Sequence, residues 1–110
     1  MTALKDVQGK SMLHLLPPVA LHEMAAVREF GSRKYAPWDW CQGRNWTDYY
    51  DAAMRHLLAW LGGEDLDPES GLPHVAHAAV NLTFLMEFRH SGAGLDNRPV
   101  GLLVSRVSLP

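Results

Sequence analysis

Residues 46–88 constrain the fold most, because they read as a helix, an acidic turn and a second helix. The second helix is apolar almost all round, yet it carries His74, His77 and Asn81 at i, i+3 and i+7, which is one helical face. Polar side chains in an apolar helix must be hydrogen-bonded, paired or coordinated to offset their desolvation. We therefore expect this hairpin to hold the functional site.

The composition is that of a single small globular domain, taken as residues 1–110. Of the 110 residues, 47% are hydrophobic and 20% are charged, which argues against disorder. The net charge of −2 comes without a basic stripe, so nucleic acid is not an expected partner. One cysteine, Cys41, allows no internal disulfide and fits a reducing compartment. No apolar run reaches membrane-spanning length, so we expect a cytoplasmic protein without a membrane partner.

Helical periodicity and turn residues predict an all-α fold, a small antiparallel helical bundle over about residues 18–90. The first helix covers residues 19–30 and ends at Gly31. Asn45 or Thr47 caps the second helix, which runs to about Leu61, and Ser70 caps the third, which runs to about Arg89. The expected buried side of the second helix consists of Ala52, Ala53, Leu57, Leu58 and Trp60.

Residues 91–110 are predicted to form an extended C-terminal tail, packed on its own chain or on a neighbour's. A chain of this size buries only a modest core, and a homo-oligomer, a dimer or tetramer, is therefore expected.

Two helices joined by a short connection should lie antiparallel. At about 1.5 Å rise per residue, His56 lies roughly 8 Å from the end of its helix and His77 roughly 9 Å into the next, so the two should be level. The imidazoles then meet the carboxylates of the turn. Carboxylates favour Mg²⁺ or Mn²⁺, whereas imidazoles admit Zn²⁺. The alternatives are ordinary core histidines and acidic residues that cap a helix.

Other side chains could contact a ligand at this end of the hairpin. Arg55 follows Asp51 at i+4, which suits either a surface ion pair or a phosphate contact. Trp38, Trp40 and Trp46 either anchor their segment to the core or stack on a purine.

Several stretches resemble a known family. They are GK…LLPPVALHEMAAVREFGSRKY, the NW at residues 45–46, and above all RHLxAW…GEDxDPESGLPHxAHA between Arg55 and Ala78. They are similar to the phage dATP/dGTP diphosphohydrolases, relatives of the all-α MazG nucleotide pyrophosphohydrolases, over about residues 9–88.

The resemblance implies metal-dependent hydrolysis of purine deoxynucleoside triphosphates, dGTP or dATP, to the monophosphate and pyrophosphate with Mg²⁺ or Mn²⁺. It further implies a phage pathway for 2-aminoadenine DNA in the host cytoplasm. MazG relatives carry ExxE on one helix and ExxD on the next. Here histidines stand at the similar positions, and ExxD occurs in the turn as Glu64 and Asp67.

Three groups of site residues follow from the pattern and the resemblance together. The catalytic candidates are Glu64, Asp67 and His77. The metal candidates are Glu64, Asp67, Glu69, His56 and His74, of which the histidines could instead bind phosphate or orient water. The substrate candidates are Lys34, Tyr35, Asn45, Trp46, Arg55 and Asn81, and Asn81 could instead orient a histidine.

Two other functions fit the same residues. The first is a non-catalytic helical module that binds a nucleotide or a partner protein. The second is a Zn²⁺ module with a structural or regulatory role.

Overall fold

The computed structural model describes residues 8–42 and 44–99 and contains three α-helices. They are α1 (Pro18–Lys34), α2 (Trp46–Leu61) and α3 (His74–Ser91). Two short 3-10 helices, Leu13–Leu15 and Asp39–Cys41, precede α1 and α2. Within the described ranges the only β-type contacts are two isolated bridges, Asn45 with Leu95 and Leu66 with Pro73. The predicted all-α class is confirmed.

The third helix is the centre of the bundle, because it packs against both α1 and α2. This position explains why its sequence is apolar almost all round. The side facing α1 contributes to a small hydrophobic cluster made of Val27, Ala76, Val80, Met24, Leu72 and Phe84. Although α3 is apolar, no helix in the described part of the chain is both long and apolar enough to cross a membrane.

The α2–α3 pair is antiparallel, as predicted. Near the start of α2, the Tyr49 ring lies 4.9 Å from that of Phe88, near the end of α3. Further along α2, the His56 ring lies 4.5 Å from that of His77, near the start of α3. The prediction that these two histidines are level is therefore confirmed.

The first helix is longer than the sequence suggested. Gly31 does not end it, because Gly31 is not among the glycines with a positive φ and its carbonyl accepts a 2.7 Å hydrogen bond from the Tyr35 N–H. The helix continues to Lys34, so Arg33 and Lys34 occupy its last turn. Cationic side chains there complement the negative end of the helix dipole.

The start of α3 also differs from the prediction. Ser70 is not its cap, because Pro73 occupies the N-cap position and the helix begins at His74. The Ser70 hydroxyl oxygen instead accepts from the Leu72 N–H at 3.1 Å and lies 2.7 Å from His77 Nε2. At the other end α3 runs to Ser91, where Gly92 adopts a φ of 77° and terminates it.

The predicted buried side of α2 was too wide. Ala53 is 2% exposed, but Leu58 and Trp60 are 60% and 48% exposed. Ala52 and Leu57 are only partly buried. The reason is that α2 packs chiefly on α3, where Tyr49 contacts Phe88 and His56 contacts His77, and Ala53 lies on the same stripe between them.

The segment after α3 returns to the start of α2. The Leu95 N–H donates to the Arg44 carbonyl at 3.0 Å, and the Trp46 N–H donates to the Leu95 carbonyl at 2.9 Å. A Cβ at Gly94 would lie 2.8 Å from the Arg44 carbonyl oxygen, so this close approach requires glycine. The predicted tail is thus held to α2 over its first residues, and residues 100–110 lie outside the described ranges.

Candidate functional site

Three imidazoles meet where α2 and α3 pack. His56 and His77 stack with an interplanar angle of 9°, and His56 Nδ1 lies 2.8 Å from His74 Nδ1. His74 and His77 are only 4% and 9% exposed. The antiparallel packing of the two helices brings the three rings together from positions 56, 74 and 77.

Two carboxylates of the turn complete this group. His74 Nε2 lies 2.6 Å from Glu64 Oε1. Asp67 Oδ2 accepts from the Ser70 N–H at 2.9 Å and lies 3.8 Å from His77 Nε2. We call these five side chains, His56, Glu64, Asp67, His74 and His77, the histidine–carboxylate cluster.

The protonation of the cluster follows from its burial. Burial lowers the pKa of His56 and of His77, because an imidazolium loses hydration, and the Asp67 carboxylate opposes this without outweighing it. Burial alone would raise the pKa of Asp67, but hydrogen bonding from Ser70 outweighs it and the pKa is lowered. At neutral pH these two imidazoles are therefore neutral and stand beside an ionised carboxylate, a combination that suits a cation.

Part of the cluster has the spacing of a metal site. One potential ligand atom each from His56, Asp67 and His74 lies within 4.8 Å of the other two. Glu69, also a predicted metal ligand, lies at the edge of the same cleft, where its carboxylate pairs with Lys34 Nζ at 2.5 Å. The structure therefore brings four of the five predicted metal ligands together and directs the fifth towards α1.

A cleft of about 480 Å³ opens beside the cluster, between α1 and the α2–α3 hairpin. Its wall carries both acidic and basic side chains. The basic ones are Arg28, Lys34, Arg44 and Arg55, and the acidic ones are Asp39, Asp48, Asp51, Asp67 and Glu69. A cleft with this lining suits a ligand that carries phosphate groups and divalent cations.

Most of the basic side chains of the cleft already have partners. Lys34 pairs with Glu69, Arg44 Nη2 donates to Asp39 at 2.7 Å, and Arg28 donates to the Pro37 carbonyl. In the described part of the chain, Arg55 forms neither a hydrogen bond nor an ion pair, so the Asp51 pair suggested by the i+4 spacing does not form. The Arg55 guanidinium, on the helix that carries His56, is thus available to a ligand.

Some of the aromatic residues pack in the core, and others line the cleft. Trp46 is a core residue, since its ring stacks on Phe88 and its Nε1 donates to the Ala93 carbonyl at 2.9 Å. Trp40 and the half-exposed Tyr35 line the cleft instead. The Trp40 ring is also anchored from behind by Phe84, at 5.4 Å.

The remaining substrate candidates differ in whether they line the cleft. Asn81 lines the cleft, and its Nδ2 donates to the His77 carbonyl at 2.9 Å. Neither Asn45 nor Trp46 lines the cleft, and Asn45 instead forms the bridge to Leu95. Of the six candidates, Lys34, Tyr35, Arg55 and Asn81 are thus placed where a ligand could reach them.

Sequence reasoning missed Arg28 and the contact between Ser70 and His77. Arg28 lies at i+4 from Met24 and beside Val27 on the apolar face of α1, and a cation on such a face was a usable signal. The Ser70 contact carried no such signal, because it depends on the path of the turn.

Comparison with known proteins places the chain in a family. The family model for the N-terminal part of dATP/dGTP diphosphohydrolases matches residues 1–98. A protein named dATP/dGTP diphosphohydrolase from Salmonella phage PMBT28 is 39% identical over 99 residues, which are 90% of this chain and 32% of that protein. This chain therefore spans about a third of the length of that relative. No solved structure matches. These matches confirm the resemblance seen in the sequence, and the chain belongs to the dATP/dGTP diphosphohydrolase N-terminal family.

Proposed function

We propose that this chain takes part in the hydrolysis of purine deoxynucleoside triphosphates, dGTP or dATP, to the monophosphate and pyrophosphate. The observation that carries the proposal is the position of the histidine–carboxylate cluster at the wall of a cleft that holds Arg55, which has no hydrogen-bond or ion-pair partner among the described residues. The name of the phage relative supports the substrate class. Under this proposal dGMP would be the product that phage 2-aminoadenine pathways require.

The donor set of the cluster fits a divalent cation, which we propose to be Mg²⁺ or Mn²⁺. His56, His74 and Asp67 would hold it, with Glu64 behind His74 and Glu69 at the edge of the cleft. When bound, such a cation neutralises phosphate charge and lowers the pKa of a bound water.

The protein's own groups would position the triphosphate. Arg55 offers a fork of donors to phosphate oxygens, and Lys34 can exchange its Glu69 partner for a phosphate. Tyr35 and Trp40 line the same cleft, and their aromatic rings would contact the purine. The triphosphate would thereby lie with its phosphates towards the cluster.

His77 would accept the proton of the attacking water, and Asp67 would stabilise the charge that results. The oxygen of water attacks the α-phosphorus, the bond from that phosphorus to the bridging oxygen breaks, and pyrophosphate leaves. The neutral imidazole of His77 accepts the proton from water through the Ser70 hydroxyl, 2.7 Å from Nε2. The ionised Asp67 carboxylate, 3.8 Å away, then stabilises the imidazolium.

The proposal is tested by incubating the purified chain with each of the four deoxynucleoside triphosphates and Mg²⁺ or Mn²⁺, and by separating the products on an ion-exchange column. The expected products are the purine monophosphate and pyrophosphate in equal amounts. Release of inorganic phosphate alone, or no turnover with either cation, would sink the proposal.

A second candidate function is nucleotide binding without hydrolysis. It is favoured by one observation, namely that the chain spans only 32% of its named relative, so the reaction could need the remainder. This function predicts that dGTP raises the melting temperature of the chain while no product forms.

We also propose that the chain forms a homo-oligomer, a dimer or tetramer. Val75, Leu82 and Met86, at i, i+7 and i+11 on α3, lie on one helical face and are 47%, 43% and 67% exposed. Two copies can bury the same stripe against each other about a two-fold axis.

A further inference from the structure

We propose that His56, His74 and Asp67 form a binding site for a first-row transition-metal ion, such as Mn²⁺ or Zn²⁺, and that the site discriminates against Mg²⁺. Glu64 does not bind the ion in this arrangement but holds His74 from behind. The inference rests on the proposed function and narrows its choice of cation, because it disfavours Mg²⁺ at the same cluster.

The distances between the donor atoms suit one metal ion. His56 Nδ1 and His74 Nδ1 are 2.8 Å apart, and a carboxylate oxygen of Asp67 completes a group within 4.8 Å. Two nitrogen ligands at about 2.0–2.1 Å from a shared ion lie roughly 2.9–3.4 Å from each other at ordinary coordination angles. A movement of a few tenths of an ångström by either ring would therefore admit the ion.

The contact with Glu64 selects the nitrogen that His74 presents. An ionised carboxylate only accepts hydrogen bonds, so the 2.6 Å contact to Glu64 Oε1 places a proton on His74 Nε2. With that proton on Nε2, His74 Nδ1 can offer a lone pair on the side of His56, whose Nδ1 is 2.8 Å away. Histidines that ligate metals commonly donate their other N–H to a carboxylate in this way, which fixes the tautomer and the ring orientation.

The second histidine can present its lone pair in the same place. With the His74 proton on Nε2, the 2.8 Å contact between the two Nδ1 atoms requires His56 Nδ1–H to be the donor. When a cation enters, the His56 proton moves to Nε2 and both Nδ1 lone pairs face the ion. The ring of His77, stacked 4.5 Å from that of His56, keeps this plane in position.

The other members of the cluster are held elsewhere. His77 Nε2 is engaged by the Ser70 hydroxyl at 2.7 Å. The Glu69 carboxylate is bound by Lys34. The protein therefore supplies two nitrogens and one oxygen, which leaves coordination positions open for water and phosphate oxygens.

This donor set determines the class of metal. Mg²⁺ prefers oxygen ligands and gives up its water reluctantly, whereas imidazole suits Zn²⁺ and the later transition metals. Two imidazole ligands out of three therefore favour Zn²⁺ most and Mg²⁺ least, with Mn²⁺ between them. The carboxylates of the turn alone would favour a hard cation such as Mg²⁺. The two histidine ligands change that preference.

The test is isothermal titration of chelator-treated protein with Zn²⁺, Mn²⁺ and Mg²⁺ in the absence of nucleotide. We expect one Zn²⁺ ion per chain, with an affinity at least about tenfold above that for Mg²⁺ and with Mn²⁺ between the two. His74→Gln should weaken binding by more than about tenfold, and Glu64→Gln by about 10–100-fold because it loosens the ring. His90→Gln is the matched control, since His90 is an exposed histidine on the same helix.

Equal affinity for Mg²⁺ and the transition metals, or unchanged binding in both His74→Gln and Glu64→Gln, would overturn the site. Glu64 is half exposed, so its variant remains informative if the His74 variant does not fold. Metal binding without any nucleotide turnover would reject the proposed function and leave the site standing. Turnover with Mg²⁺ in a protein that binds no transition metal would reject the site and leave the proposed function standing.

Discussion

The Nδ1 atoms of His56 and His74 lie 2.8 Å apart, although the two residues are 18 positions apart and belong to different helices. Two imidazoles at this distance do not both carry a charge, because like charges repel in a partly buried site. The pair can therefore offer nitrogen lone pairs to a cation, and it carries one exchangeable proton.

Asp67→Asn should lower kcat/KM for the preferred purine triphosphate by at least about 100-fold, because it removes both a metal ligand and the charge that stabilises the His77 imidazolium. Steady-state pyrophosphate release measures the effect, and circular dichroism checks the fold. The control is Asp65→Asn, a neighbouring exposed aspartate in the same turn. Equal losses in the two variants would contradict a specific role for Asp67.

Arg55→Ala should raise KM for the triphosphate by roughly tenfold or more, because a charge-assisted hydrogen bond contributes about 1.5–3 kcal/mol. Thermal stability should stay unchanged, since no hydrogen bond or ion pair holds Arg55 in the described ranges. Arg89→Ala, an exposed arginine on α3 outside the cleft, is the matched control. A KM equal to that of the parent protein would remove Arg55 from the phosphate site.

The metal-free protein should lose stability as pH falls from 7.5 to 5.5. The pKa of His56 and of His77 is lowered in the folded state, so below the ordinary value of about 6.5 the unfolded chain binds more protons. The free energy of unfolding therefore rises with pH across this window. Urea unfolding in the presence of a chelator measures it.

The same measurement on His56→Gln isolates the contribution of one ring. Its free energy of unfolding should depend less steeply on pH than that of the parent chain, because one titrating group is gone. A slope as steep as the parent's, or a parent chain that becomes more stable on acidification, would show that the buried histidines do not titrate as described.

Self-association should depend on the exposed stripe of α3. Met86→Glu places a charge on a side chain that is 67% exposed, so the isolated fold should tolerate it while the oligomer dissociates. Light scattering coupled to size exclusion gives the mass of each species. Glu87→Gln, an exposed neighbour off the stripe, should keep the parent mass. A parent chain that is monomeric at high concentration would contradict the proposal.

The helical periodicity of the sequence was enough to predict α2, α3 and their antiparallel pairing. The rise per residue then placed His56 level with His77, and the structure confirms it. The exposure of Leu58 and Trp60 was not predictable, because it depends on α1 packing against α3. Amphipathicity locates an apolar face but does not say which helices cover it.

The turn was harder to predict than the helices. Its carboxylates were recognisable as ligands, but nothing local shows that Glu64 turns to His74 while Glu69 turns to Lys34. These choices depend on the backbone path through residues 62–73 and on the position of α1. The proline at position 73 also displaced the expected Ser70 cap, which left the serine hydroxyl for His77.

The most direct test of the account is hydrolysis of dGTP and dATP in ¹⁸O-labelled water with Mn²⁺, followed by mass spectrometry of both products. Attack of water on the α-phosphorus predicts that the label enters the nucleoside monophosphate and that the pyrophosphate stays unlabelled. Label in the pyrophosphate, or no turnover of either purine nucleotide, would contradict the account.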